Sequence, residues 1–220
     1  AFAKEIIFGG TPSLSRQGLG SIATLMLNVA AGAFGDAAIA GMSIVTRISF
    51  FTYAMVIGLG QGFQPLCGFC YGAKLYGRVK EAYFFCIRCG TVFLSVCALL
   101  GFIFSTSIIS IFRDDAAVVA VGSAALRWQV LSFPLIASIV LTNMLMQTIR
   151  KPVRANIVAA ARSGLFFIPL IFILPYFFGL LGVEMCQMWA DCCSFAVAVP
   201  IAWSAFRDMR REQMELGKSH

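Results

Sequence analysis

The residues of this sequence that could do chemistry are charged and amide side chains set inside long apolar runs. Arg16, Arg47, Arg88, Arg127, Arg162 and Asp191 each interrupt such a run. An ionised group at membrane depth is costly and turns toward the interior of a helix bundle. Arg88 stands about two turns from a basic loop, close enough for its stem to carry the charge back to water. Arg47 and Arg127 enter from the other side, and each either reaches outward in the same way or meets an acid, Asp36 or Asp115. Arg162 and Asp191 differ from these. Counted inward from their flanking turns, each lies roughly nine or ten residues deep, about 14 Å at 1.5 Å per residue. That depth is near the middle of a ~30 Å hydrocarbon layer. On adjacent antiparallel helices the two are expected to form an intramembrane ion pair. A pair that fixes the two helices is favoured over a proton-coupling pair.

The uncharged amides in apolar context are Gln17, Asn28, Gln61, Gln64, Gln129, Asn143 and Gln147. For any one of them the default role is a hydrogen bond between helices. Gln17, Asn28 and Gln61 stand near the stretch Gly58–Arg78, with Tyr53, Gln64, Met26, Phe51, Met55 and Phe63 around them. Methionines and aromatics that can repack suit a pocket for varied apolar cations or drugs, and they suit ordinary packing equally. Gln17, Asn28, Tyr53, Gln61 and Gln64 are therefore candidate contacts for the polar groups of a small molecule, with Met26 and Phe51 as apolar wall. Cys67, Cys70, Cys86 and Cys89 have the C-x2-C…C-x2-C spacing of a zinc site, with fifteen residues between the pairs. Arg88 lies between the last two and no His accompanies them, so small apolar packing residues are the better reading. No nucleophile–base pair or phosphate loop is present, so nothing points to an enzyme. The lone His220 reads as a solvated tail residue.

The elements that must position these groups are membrane helices. The 220 residues are 60% hydrophobic and 12% charged, with mean hydropathy +0.86. A soluble domain carries roughly twice that charged fraction. Uncharged runs such as 89–112 and 128–149 reach or pass the ~20 residues of a spanning helix, and barrel strands would be about half as long and alternating. The all-α reading gives six spans, about 13–34, 37–60, 83–112, 118–149, 155–178 and 183–206. The second continues brokenly to Gly72. Pro65 would leave the Gln61 carbonyl without its helical partner, and the pairs Gly58/Gly62 and Gly68/Gly72 offer notches for a neighbouring backbone. Asp115 is placed to cap the fourth span. Residues 1–12 read as a connector, 13–206 as the bundle and 207–220 as a basic amphipathic tail. The start lacks a Met and a cleavable pattern, and reads as a chain entered partway.

The net charge of +7 does not point to nucleic acid, because the basic residues sit at helix ends. Lys4, then Lys74, Arg78 and Lys80, then Arg150, Lys151 and Arg154, then Arg207, Arg210, Arg211 and Lys218 fall on one side. Asp36, Asp114, Asp115 and Glu184 fall on the other, with Arg113. The positive-inside rule makes both termini cytoplasmic, in a cell (inner or plasma) membrane.

An ordered set of motifs resembles the multidrug and toxic compound extrusion (MATE) family of efflux transporters. It comprises Pro12-Ser13…Arg16-Gln17-Gly18, Gly35-Asp36-Ala37-Ala38-Ile39-Ala40 and Gly58…Gly62…Pro65…Gly68…Tyr71-Gly72-Ala73. Arg78-Val79, Gly182-Val183 and Ala190-Asp191 follow in order. The resemblance covers nearly the whole chain. It implies the second six-helix bundle of a twelve-helix, two-bundle fold, the N-terminal six-helix bundle being a partner outside this chain. It also implies antiport, in which an organic, often cationic compound leaves while sodium or protons enter, without a cofactor. The small-molecule cavity would lie between the bundles. The sequence departs from one branch of the family, which carries a carboxylate on the first helix of this bundle and another on its fourth. Here the first position is Gly20 and the fourth span has no acid, so such a pair does not bind the coupling ion in this half. Cys70 stands where the motif usually has Asn. Two rival readings remain: a lipid-linked oligosaccharide flippase of the same superfamily, which needs several cavity Arg or Lys, and a membrane assembly subunit without transport.

Overall fold

A computed structural model describes residues 2–218, with side-chain surroundings for 17–162 and 164–215; His220 and the side chain of Arg16 lie outside those. The described chain is all helical. Its elements are α1 (Phe2–Gly32), α2 (Asp36–Gly72), α3 (Tyr76–Ile103), α4 (Ser105–Phe112), α5 (Ala116–Thr148), α6 (Pro152–Ala160), α7 (Phe167–Phe178) and α8 (Leu180–Lys218). A π turn, Ala161–Leu165, joins α6 to α7. These make six rods. The third is α3 with α4 after a kink at Phe104, and the fifth is α6, the π turn and α7. Among the described residues, four helices are long and apolar enough to cross a membrane, so the protein is a multi-pass membrane protein.

The rods pack around α5. Of the most apolar eighteen residues of α5, 78% are buried, against 22% in α3. Helix α5 touches α2, α3, α4, α6 and α8, while α1 closes the bundle against α2, α6 and α7. One core holds Leu94, Ile109, Leu126, Phe133 and Phe167. A second, toward the basic end, holds Phe63, Tyr83, Leu141, Met146 and Met209.

Two expectations about α2 are corrected. The helix runs unbroken through Pro65. Pro65 and Gln61 are both exposed, so the carbonyl that loses its partner lies on an outer face and the packing on the other face holds the helix together. The close approach also uses other glycines. A Cβ at Gly58 or Gly62 would meet nothing, whereas Gly60 receives the Met144 side chain and a Cβ at Gly41 would lie 3.1 Å from the Gly122 backbone nitrogen. Gly41 and Gly60 face α5; of the motif glycines only Gly68 does, where a Cβ would lie 3.5 Å from the Thr148 side chain, and a Cβ at Gly58, Gly62 or Gly72 would meet nothing.

The turns at the basic end are built alike. After α2, Leu75 N–H donates to the Cys70 carbonyl at 2.8 Å and Lys74 N–H to that of Tyr71 at 3.0 Å. After α5, Lys151 N–H donates to Met146 at 2.9 Å and Arg150 N–H to Gln147 at 3.2 Å. Both are Schellman closures, with Lys74 (φ 59) and Arg150 (φ 56) in the left-handed position. At the other end Asp115 caps α5, its Oδ1 accepting from Ala117 N–H at 3.0 Å. Helix α8 continues without interruption through residues 207–218.

Candidate functional site

The middle of the bundle holds a polar knot on a completely buried carboxylate. Arg162 Nε donates to Asp191 Oδ1 at 2.7 Å, and Gln187 Nε2 donates to the same oxygen at 3.1 Å. Ser132 Oγ donates to Oδ2 at 2.8 Å, and Gln129 Nε2 lies 3.4 Å from that oxygen. Asp191 is 0% exposed. Its charge is met by a guanidinium and further donors, which is what a buried ion needs in order to stay charged. The guanidinium also lies over the Tyr53 ring, 4.5 Å from its centroid, a cation–π contact.

Local folding explains how Arg162 gets there. The π turn closes with Phe166 N–H donating to the Ala161 carbonyl at 3.2 Å. The extra residue widens the helix at Arg162, and such single turns are frequent at functional positions. The fifth rod presses here on the first, since a Cβ at Gly164 would lie 3.0 Å from the Leu19 side chain.

The knot forms one wall of a cavity of about 510 Å³ between α1, α2, α5, the π turn, α7 and α8. Its polar lining includes Gln17, Gln129, Gln187 and Arg162, and its aromatic lining is Phe50, Tyr53 and Phe167. Ser21, Thr24, Thr46 and Ser49 add hydroxyls, and Leu27, Met42, Val45 and Ile57 add apolar wall. Among the described residues, Arg162 is the one cation in the lining, and no carboxylate lines the cavity.

The sequence-derived candidates divide. Gln17, Tyr53 and Arg162 are brought together in the cavity wall, with Asp191 behind Arg162. Asn28 lies outside it, on the α1 face one turn beyond Thr24. Gln61 and Gln64 lie outside it too, further along the α2 face that carries Tyr53 and Ile57. Met26 packs against the core, and Phe51 is 65% exposed away from the cavity. Reasoning from sequence missed Gln187, Phe50 and Phe167 and left Gln129 as an ordinary amide. The signal for Gln187 was its position four residues before Asp191, one turn away on the same face.

Other polar groups tie helices together. Asn143 Nδ2 donates to the Ala155 carbonyl at 2.7 Å, Gln147 donates to Asn143 at 2.6 Å, and the Tyr83 and Thr142 hydroxyls meet at 2.7 Å. Arg127 reaches neither Asp36 nor Asp115; its Nε donates to Ser105 Oγ at 2.9 Å. Cys67, Cys70 and Cys86 are buried and Cys89 is exposed. Among the described residues no three His, Cys, Asp or Glu group as metal ligands.

A family model described as MatE matches residues 12–173. The chain belongs to the MatE family. The Multidrug export protein MepA of Staphylococcus saprophyticus is 27% identical over 200 residues, covering 90% of this chain and 44% of that relative. The MATE transporter VcmN of Vibrio cholerae, in its bent form, has the same fold, with a TM-score of 0.87 at 18% identity over 94% of this chain and 47% of that one. A MOP superfamily transporter from Pyrococcus furiosus matches with a TM-score of 0.88 at 18% identity, over 94% of this chain and 47% of its own. The chain thus spans about half the length of the curated relatives it matches. The resemblance read from the motifs is a family relationship, and the all-α six-rod bundle is the fold of half such a transporter.

Proposed function

We propose that this chain is the C-terminal six-helix half of a MatE transporter. The whole protein is a secondary active antiporter that exports organic, often cationic, compounds in exchange for sodium or protons. The observation that carries this reading is the unfilled cavity of about 510 Å³ inside a MatE bundle, with three amides, three aromatic rings and one guanidinium in its wall. Aromatic faces and methionine hold varied flat or cationic compounds, and amides orient their polar groups. The names of the relatives, a multidrug export protein and a MATE transporter, support the same reading.

In this assignment residues 1–12 connect to an N-terminal bundle, 13–206 form the membrane bundle and 207–220 the cytoplasmic tail. Both termini are cytoplasmic, as the basic turns around Lys74 and Arg150 support. Gln17 and Tyr53 contact substrate directly. Gln61, Gln64 and Asn28 extend the polar face along α2 and α1 beyond the cavity, where the partner bundle would complete it, with Phe51 and Met26 beside them. Arg162 and Asp191 hold the fifth and sixth rods in register. The cavity counts against the rivals. A pyrophosphate-carrying lipid calls for several basic groups, and Arg162 alone is basic among the described lining. A subunit without transport calls for a filled interior.

The test is drug accumulation in cells making the full-length protein. A Gln17→Ala/Phe50→Ala variant, at equal membrane level, should accumulate an organic cation several-fold more than wild type. Wild-type export from that variant would remove the cavity from the substrate path.

A further inference from the structure

Glu184 is a buried acid that the cavity does not use. It is 6% exposed, and among the described residues it makes neither an ion pair nor a hydrogen bond. It lies seven residues, about two turns, before Asp191, on the same face of α8. The corner that holds it is tight. Gly179 turns the chain at φ +59, and Gly182 packs on the Leu174 and Pro175 backbone with no room for a Cβ. Gly182 N–H donates to the Gly179 carbonyl at 3.0 Å. Val183 and Cys186, on either side of Glu184, are 0% exposed, and the Cys186 thiol donates to the Phe167 carbonyl at 3.7 Å.

Among the described residues, no cation on the packed elements is free to pair with this acid. Helix α7 carries no charged residue. The sole charged residue of α5, Arg127, donates to Ser105 on α4 and lies over Phe102 on α3. Arg162 is taken by Asp191, and Arg154 by Asp208. The described part of α1, residues 17–32, has no charged side chain. On α3, Arg78, Lys80, Glu81 and Arg88 are exposed near the basic end. Asp191, the nearest acid on α8 itself, is already saturated with donors. A carboxylate in a packed apolar corner with no partner neutralises rather than stay charged.

We propose that Glu184 is a proton-binding site, held mainly as the neutral carboxyl while the α7–α8 corner is packed and ionised more readily when that corner opens to water. Losing the proton then favours the open corner, and regaining it favours the packed one, so the group links proton uptake to helix movement. The inference concerns this bundle's own conformational equilibrium and stands apart from whether the whole protein exports drugs.

The test uses the full-length protein in lipid vesicles at mildly acidic and mildly alkaline pH. Hydrogen exchange is followed over residues 174–186. Rates are taken relative to the base-catalysed exchange of an unstructured chain at each pH. On that scale wild type should exchange faster at alkaline pH, Glu184→Gln should stay protected at both, and Glu184→Asp should keep the response. Infrared difference spectra between the two pH values should show a carboxylic C=O band lost in wild type, shifted in Glu184→Asp and missing in Glu184→Gln. The band shift in Glu184→Asp assigns the signal independently of Glu184→Gln, so the proposal does not hang on the folding of one variant. An equal alkaline rise in Glu184→Gln and wild type overturns it, as does a wild type with no carboxyl band to lose.

Discussion

Asp191 and Arg162 are tolerable at this depth only as a pair. Removing one partner strands a buried charge, which costs about 3–5 kcal/mol, and replacing both with apolar residues of similar volume costs much less. Arg162→Met is therefore expected to lower stability by about that amount, and the double variant Arg162→Met/Asp191→Leu to recover most of it. Unfolding in detergent, arranged as a double-mutant cycle, measures this; a single-variant loss under about 1 kcal/mol would mean that the pair does not hold the rods. The pair was legible in the sequence because depth in a bilayer can be counted from charged turns, and both residues stood at the same count. The rest of the knot was not. Gln129, Ser132 and Gln187 are ordinary membrane-helix residues until the packing of α5 against α8 points them at one carboxylate.

At the scale of elements, the last turns of α8 are held to the turn between α5 and α6 and to the start of α3. Lys151 Nζ donates to Asp208 Oδ2 at 2.6 Å, Arg154 donates to the same oxygen at 3.1 Å, and Tyr76 OH donates to Glu212 at 2.8 Å. The Lys151 hydrogen bond, with that from Arg154 and their positive charges, holds the Asp208 carboxyl below its ordinary value. A depressed carboxylate contributes stability that is present above the unfolded value, about 3.9, and is lost as pH falls through the lower folded value. Protease cleavage within residues 205–215 should therefore be slow at neutral pH and rise below about pH 4. Asp208→Asn should be cleaved readily at neutral pH and show little further rise from this contact. Cleavage of wild type that does not change on acidification would show that the clamp contributes nothing. The six rods were readable from run length and charge. The unbroken α2 was not, because a proline disrupts a helix only where packing cannot hold the flanks together, and nothing in the spelling of Gln61–Pro65 says that its bare carbonyl faces outward. The π turn had no signal in the sequence, where residues 155–178 read as one regular span.

The whole molecule is arranged about α5, and this sets what the bundle can do alone. Alternating hydropathy and the charge of the turns determine how many rods there are and which ends share a side, so the architecture could be read in advance. Which faces remain open depends on the neighbours of each rod, so the cavity between α1, α2 and α8 could not. The centre is complete within these residues: α5 buries 78% of its most apolar stretch against helices of this chain. On the proposed assignment, a bundle that carries its own centre does not need to be translated in one piece with its partner. Two halves made from separate messages should insert independently, meet in the membrane through their open faces and restore export. Co-expression of the severed halves, read by drug accumulation, checks this; export that returns only with the covalent join would show that the connector, and not the α5 core, is what assembles the transporter.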